Sequence, residues 1–439
     1  MSIEWVTVLL LASLMVLLVV GLPLAWAIGA TAVGFTLLLF GPYVMVMMVS
    51  RVFDMMLNYT LMAVPLFVLM AAILQRAGVA EQMFRAVHIW AGGIRGGLAV
   101  GTIITNAIMA AMVGVIGAEI VTFGLIALPA MLARKYDDTL ALGSVAAGGG
   151  LATLIPPSVV FIVYAMTAGC SVGELFIAGI VPGLLLGSLF IVYILYRAWR
   201  YPDSAPAAPP EERDLPLSQK LALLGGLIIP SLIAIGVLGS IYTGVATPSE
   251  AAGIGVLGAL LAAAANRKLS WASLRDSLYE TTKISCMLAW LFFGAQTIIG
   301  IYSLAGGTEF VKHSITSMNL GPWGTIVFMQ LILIFLGMFL DWIGILLLTM
   351  PLFVPVILDM GFSNIWFGVV FCMNMHVAYL SPPFGPSCFY LKSVAPDHIT
   401  MGKIYASVMP YLWITVAALA LTVAFPQLSL WLPAQMLGR

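Results

Sequence analysis

Two pairs of consecutive prolines, Pro156–Pro157 in "LATLIPPSVV" and Pro382–Pro383 in "VAYLSPPFG", sit inside segments apolar enough to lie within a membrane. Proline lacks the backbone donor and clashes with the preceding turn, so each pair ends a helix and leaves carbonyl groups unpaired. In a bilayer each such group costs several kcal/mol unless protein or a water-filled site takes it. Breaks at that depth put carbonyls where cations bind and half-helix N-termini where anions bind. Two carboxylates lie in comparably apolar surroundings, Glu119 in "GVIGAE" and Asp341 in "LGMFLD". Ionisable residues there are costly and usually functional. Each also suits the first turn of a following half-helix, so ligand contact and helix capping are both open. Asn374 and His376 precede the second break, and a hydrogen-bonded packing role is expected of the histidine.

Composition sets the medium in which those residues act. The 439-residue chain is 62% hydrophobic and 8% charged, with mean hydropathy +1.10. A polytopic helical membrane protein needs this composition and a soluble core does not. Basic and acidic residues number 18 each, so charge points to no nucleic-acid partner. Cys170, Cys286, Cys372 and Cys388 form no CxxC and read as small buried hydrophobes. "MSIEW" has no basic leader, so the first apolar run reads as a retained span. No GxxxxGKS or GxxxxGKT loop serves ATP, and no HExxH or Cys/His cluster serves zinc. The glycines 148–150 read as a close helix contact.

Apolar runs predict spans near residues 5–20, 24–41, 61–76, 139–169 and 175–197, then near 220–241, 248–266, 284–303, 364–394 and 400–431. Residues 98–133 and 322–358 are too short for two full spans and read as re-entrant hairpins. Helix breaks are expected at 155–158 and 381–387. Arg51 and Asp54 fall on an interfacial helix with a solvated face, Glu250 reads as a first-turn residue after Pro248, and Pro182 as a helix-start proline. Residues 201–218 are polar and proline-rich and read as a linker. They divide a first repeat, 1–200, from a second, 219–439. Pro129 and Pro351 are 222 residues apart, as are Glu119 and Asp341. The pairs Pro156/Pro382, Pro182/Pro410 and Pro23/Pro248 are separated by 226, 228 and 225. Ordered matches at a nearly constant offset read as a duplication.

Arg76, Arg85, Arg95, Arg134, Lys135, Arg197, Arg200, Arg213, Lys220, Arg267, Lys268, Arg275, Lys392 and Lys403 fall on one side if the N-terminus lies outside; Arg51 and Lys312 fall on the other. The basic side is cytoplasmic. Five spans per half is odd, so the second half is upside down. The fold class expected is an all-α polytopic membrane protein of two inverted-topology repeats, each with about five spans, a re-entrant hairpin and a broken helix.

The segments "GLPLAWAIG", "ALPAMLARKYDDTLALGSVAAGGGLATLIPPS", "AGCSVGELFIAGIVPGLLLG", "GMFLDWIGILLLTMPLFVPVI" and "FGVVFCMNMHVAYLSPPFG" resemble the large membrane subunit of the tripartite ATP-independent periplasmic (TRAP) transporters. The resemblance covers nearly the whole chain. It implies an elevator-type, sodium-driven importer of organic acids in the bacterial inner membrane; the charge asymmetry above puts both termini on the periplasmic side. It implies a periplasmic substrate-binding protein and a small four-span membrane subunit as partners, Na+ as coupling ion and no use of ATP. Carried over by motif, sodium ligands come from Gly114, Gly117, Thr153, Leu154 and Pro157, and from Gly337, Ser381, Pro382 and Gly385. Substrate sits near Glu119, Ser158 and Asp341. Many relatives read GSSxAD at the first hairpin tip where this chain reads "GVIGAE", so serine hydroxyls are replaced there and backbone carbonyls remain. Two other readings stand beside this one: a stand-alone sodium–dicarboxylate symporter, and an intramembrane aspartyl protease using Glu119 and Asp341.

The charge asymmetry yields a topology prediction. A cysteine introduced at Pro209 is expected to resist an impermeant thiol reagent in intact cells and react after permeabilisation. Labelling from outside reverses the assignment.

Overall fold

The computed structural model describes residues 2–114, 116–209 and 216–437. Among them there is no strand. The first half runs α1 (Ile3–Val19), α2 (Leu24–Phe40), α3 (Met45–Met56), α4 (Ala63–Arg76), α5 (Val79–Ala91), α6 (Gly97–Val113), α7 (Ile116–Ala133), α8 (Asp138–Gly149), α9 (Val159–Ala168) and α10 (Val172–Arg200). The second runs α11 (Leu217–Tyr242), α12 (Pro248–Ala265), α13 (Trp271–Leu304), α14 (Gly307–Ser317), α15 (Gly321–Gly337), α16 (Trp342–Asp359), α17 (Asn364–Leu380), α18 (Pro386–Lys392), α19 (Met401–Ala424) and α20 (Gln427–Leu437). Among the described residues seven helices are long and apolar enough to cross a membrane, or eight if α14 and α15, bent by 119°, count as one span.

The element order repeats at the offset seen in the sequence. The hairpin α6–α7 is matched by α15–α16, the broken helix α8–α9 by α17–α18, and α10 by α19. Pro129 and Pro351 each lie inside the second limb of a hairpin, α7 and α16. Glycines in the left-handed region, Gly78 (φ 69°) and Gly306 (φ 86°), precede the matching helices α5 and α14. At Pro248 the chain forms a capping box, Thr247 and Glu250 satisfying each other's backbone donors, as the first-turn reading of Glu250 expects.

Several expectations are corrected. Pro182 lies inside α10 rather than at a helix start; Ser171 caps that helix and Pro410 occupies the equivalent interior position of α19. The predicted runs contain no sign of α5, because its apolar residues form one buried stripe (Val79, Met83, Phe84, Val87) while Glu81, Gln82 and Arg85 face outward. The span expected near 284–303 belongs to a 34-residue helix, α13. Of the cysteines, Cys372 and Cys388 are buried, Cys170 is half-buried and Cys286 is exposed, beside the equally exposed apolar Met287. Residues 210–215 of the linker lie outside the described residues. Its first part is docked rather than loose: Ser204 and Ala205 carbonyls accept from the Asp137 and Gly96 amides, and the Ala208 amide donates to Gly92.

The halves interlock. Helix α4 packs on α12, α2 on α13 and α8 on α19. Small residues permit these approaches. A side chain at Gly179 of α10 would stand 2.5 Å from the Phe161 ring and 2.7 Å from the Leu154 carbonyl oxygen, so α10 presses on the broken helix at this glycine. Gly179→Ala is therefore expected to destabilise the protein by about 1–3 kcal/mol through overpacking. Gly253→Ala, in α12 with open space around it, is expected to be neutral or stabilising. Thermal melts in detergent check the pair, and equal melting temperatures contradict the packing account.

Candidate functional site

Each broken helix ends in a short irregular segment. A 3-10 turn, Gly150–Thr153, follows α8, and the chain then passes Leu154–Ser158 before α9 starts. Thr153 donates from its hydroxyl to the Gly150 carbonyl (2.9 Å), and the Ser158 hydroxyl donates to the Thr153 carbonyl (3.0 Å). The Ser158 hydroxyl thereby takes the carbonyl whose helical donor would be the missing Pro157 amide. In the second half the Ser381 hydroxyl donates to the Val377 carbonyl (2.8 Å) and Tyr405 donates to the Pro383 carbonyl (2.6 Å). Gly385 (φ 37°) then turns the chain into α18. Pro156–Pro157 and Pro382–Pro383 are both joined by cis peptide bonds.

Each hairpin tip meets the break of its own half, as the sequence reading expects. Gly114, left-handed at φ 61°, is so close to the Pro157 carbonyl oxygen that any side chain would overlap it. That carbonyl accepts no backbone hydrogen bond among the described residues. Gly337 packs against Ala378, three residues ahead of Ser381, and Asp341 accepts a long hydrogen bond from the Tyr379 hydroxyl (3.5 Å). The halves also meet one another, because Gly117 lies under the Tyr390 ring of α18.

A cavity of about 690 Å³ lies between the tips. Gly114, Gly117 and Asp341 line it. Asp341 stands at the N-cap of α16 but makes no cap hydrogen bond of normal geometry. Glu119 is not among the lining residues: it is 1% exposed and neither carboxyl oxygen has a partner among the described residues. Thr153, Leu154, Pro157 and Ser158 are buried behind the cavity wall formed by Val159 and Val160. The Leu154 carbonyl faces Gly179 of α10, away from Gly114. Sequence reasoning passed over Trp342, Tyr379 and Tyr390, which surround Asp341 at the cavity; their places two residues from Ser381 and beside Asp341 were the available signals. The cavity's charged lining residues are Asp341 and Glu280, and Glu280 is paired with Arg76 at 2.7 Å. No lysine or arginine among the described residues lines it.

A family model described as "Tripartite ATP-independent periplasmic transporter, DctM component" matches residues 11–428. The chain belongs to this family. Among curated relatives, the C4-dicarboxylate TRAP transporter large permease protein DctM of Pseudomonas aeruginosa is 31% identical over 91% of this chain and 92% of its own. The ectoine/5-hydroxyectoine large permease UehC of Ruegeria pomeroyi is also 31% identical, over 96% and 97%. The solved Alcanivorax borkumensis YdaH transporter, at 14% identity, superposes with TM-score 0.60 over 96% of this chain and 98% of its own, which shows a shared fold. The chain is therefore a multi-span membrane transport subunit of the TRAP large permease family.

Two glycines separate backbone strain from site geometry. Alanine at either Gly114 or Gly169 must adopt the left-handed conformation (φ 61° and 65°), at about 1–2 kcal/mol. Only at Gly114 does it also strike the Pro157 carbonyl; Gly169 has open space. Gly114→Ala is expected to lower uptake by about tenfold or more at matched protein levels, and Gly169→Ala by less than about threefold. Equal losses would mean the tip contact has no role beyond conformation.

Proposed function

We propose that this chain is the transport subunit of a sodium-driven importer of organic acids, fed by a periplasmic substrate-binding protein and braced by a small four-span membrane subunit. One observation carries the reading: in each half a hairpin tip meets a proline-broken helix, and both tips border one cavity. The donor set fits a hard monovalent cation. Backbone carbonyls freed by prolines are oxygen ligands without charge, and the cradle at Gly114 that a side chain would fill brings the Pro157 oxygen against the tip. Gly114, Gly117, Thr153 and Pro157 would hold one ion; Gly337, Ser381, Pro382 and Gly385 would hold another. Leu154 would have to turn its carbonyl from Gly179 to join the first set.

The cavity's charge explains why an ion and a carboxylate substrate would travel together. An organic acid entering it meets Asp341 and finds no lysine or arginine. Cations held at the breaks, with the half-helix N-termini of α7 and α16, supply the missing positive potential. Substrate then binds well only after sodium. The elements carrying the tips and breaks, α6–α10 and α15–α19, would move as a body against α1–α4 and α11–α13. The Arg76–Glu280 pair, whose glutamate lines the cavity, lies at the end read as cytoplasmic. Sodium in excess of substrate charge makes uptake electrogenic, at about 2.3 kcal/mol per charge per 100 mV. An aspartyl protease needs two carboxylates sharing a proton, whereas neither oxygen of Glu119 meets a partner among the described residues.

Reconstitution tests this. Uptake into proteoliposomes is expected to need a sodium gradient, the soluble protein and the small subunit, and to stall without any one of them. Uptake by the chain alone with sodium would favour the stand-alone symporter, and uptake persisting without sodium would overturn the coupling.

A further inference from the structure

His376 and Gly150 are 226 residues apart, the offset that pairs Pro382 with Pro156. They are repeat counterparts, and they touch. His376 is fully buried, and its ring lies so close to Gly150 that a side chain there would stand 2.5 Å from Cε1, 2.9 Å from Nδ1 and 3.0 Å from Nε2. On its other side the ring packs against Phe190 of α10, centroids 5.9 Å apart. In a two-fold arrangement the residues that meet their own counterparts lie on the axis. The two broken helices therefore cross at this contact, with one large residue filling the volume its small counterpart leaves.

The crossing stands directly ahead of both breaks. Gly150 opens the 3-10 turn that ends at Thr153, and His376 precedes Ser381 in α17. A second tie leads from it to the second hairpin: Asn374 donates to both the Gln330 backbone carbonyl (3.0 Å) and its side-chain oxygen (2.8 Å) on α15. The counterpart of Asn374 at the same offset is Gly148, and it adjoins α6 of the first hairpin, a side chain at Gly148 standing 2.9 Å from Asn106 Nδ2. Each hairpin limb is thus seated on its own broken helix, and the broken helices are seated on each other here and again at Tyr164 of α9, which stacks on Phe371 and donates to the Asn364 carbonyl (2.8 Å). The seating is continuous from one cation site to the other.

We infer that His376 is a positioning residue that couples the two break sites, so that filling one sets the helix register of the other. The inference rests on the sodium reading above. Its consequence is cooperativity in sodium: the histidine ring transmits a shift of the Gly150 turn to α17, and a smaller residue would let the two helices settle independently.

The test is sodium-dependent uptake by the reconstituted transporter, at matched protein levels, for wild type, His376→Ala, Gly150→Ala and the double variant. The wild type is expected to show a Hill coefficient above unity. His376→Ala is expected to lower it toward unity and raise half-saturating sodium by about fivefold or more, the usual scale of site-to-site coupling. Gly150→Ala, which disturbs the crossing from the other side, guards against a histidine variant that fails to fold. The double variant, in which the shortened residue makes room for the methyl, is expected to exceed Gly150→Ala in uptake. A wild type without sodium dependence would overturn the functional reading and this inference with it. A sodium-dependent wild type whose Hill coefficient is unity, or is unchanged in both single variants, would overturn this inference alone, as would a double variant no better than Gly150→Ala.

Discussion

Unpaired backbone carbonyls in an apolar interior are the constraint around which this molecule is organised. Each double proline withdraws amide donors where the surroundings offer no water, and every freed oxygen must find another partner. Ser158 answers this at the Thr153 carbonyl, whose helical donor would be the Pro157 amide, while Thr153, Ser381 and Tyr405 bind the neighbouring Gly150, Val377 and Pro383 carbonyls. What remains unpaired is informative. The Pro157 carbonyl has no backbone donor and instead faces a glycine at a hairpin tip. A hairpin re-entering from the side is the element that can reach such a point, and glycine is the residue that can stand there without displacing it.

The rest of the fold holds two such arrangements in register. Packing of α4 against α12 and of α2 against α13 binds the halves together. Glycines at Gly143 and Gly179 let α19 and α10 close on the first broken helix. Because the halves share one element order, the cavity has a hairpin tip from each, Phe384 and Pro386 of the second break, and Val159 and Val160 in front of the first. Asp341 reaches it; Glu119, its counterpart, is turned into the protein. Duplication thus supplied two equivalent carboxylates that have taken different places.

Much of this was legible in the sequence because it was written in prolines, glycines and continuous apolar runs. The breaks, the hairpins and the offset between halves follow from residue types whose backbone effects are local. The amphipathic α5 escaped because its apolar residues recur on one face instead of running together. Pro182 was misread because a helix-start proline and one tolerated inside a packed 29-residue helix look alike in sequence; only the neighbours that surround it differ. The separate fates of Glu119 and Asp341 were equally hidden, since both stand near a hairpin tip and only the direction of the side chain distinguishes them. Trp342, Tyr379 and Tyr390 were indistinguishable from core residues until the cavity gathered them.

The central claim is that the breaks expose carbonyls to a coupling cation, and not merely that prolines shape helix packing. Its most direct test is the sodium concentration dependence of uptake, at matched membrane protein levels, for Pro156→Ala/Pro157→Ala and for Pro382→Ala/Pro383→Ala. Alanine is about 3 kcal/mol better than proline in a helix interior, so each variant should draw its carbonyls back toward helical hydrogen bonds. The account predicts that both sodium curves move to higher concentration while the protein still inserts. Lower protein yield with sodium curves superimposable on the wild type would contradict it and leave packing as the prolines' role.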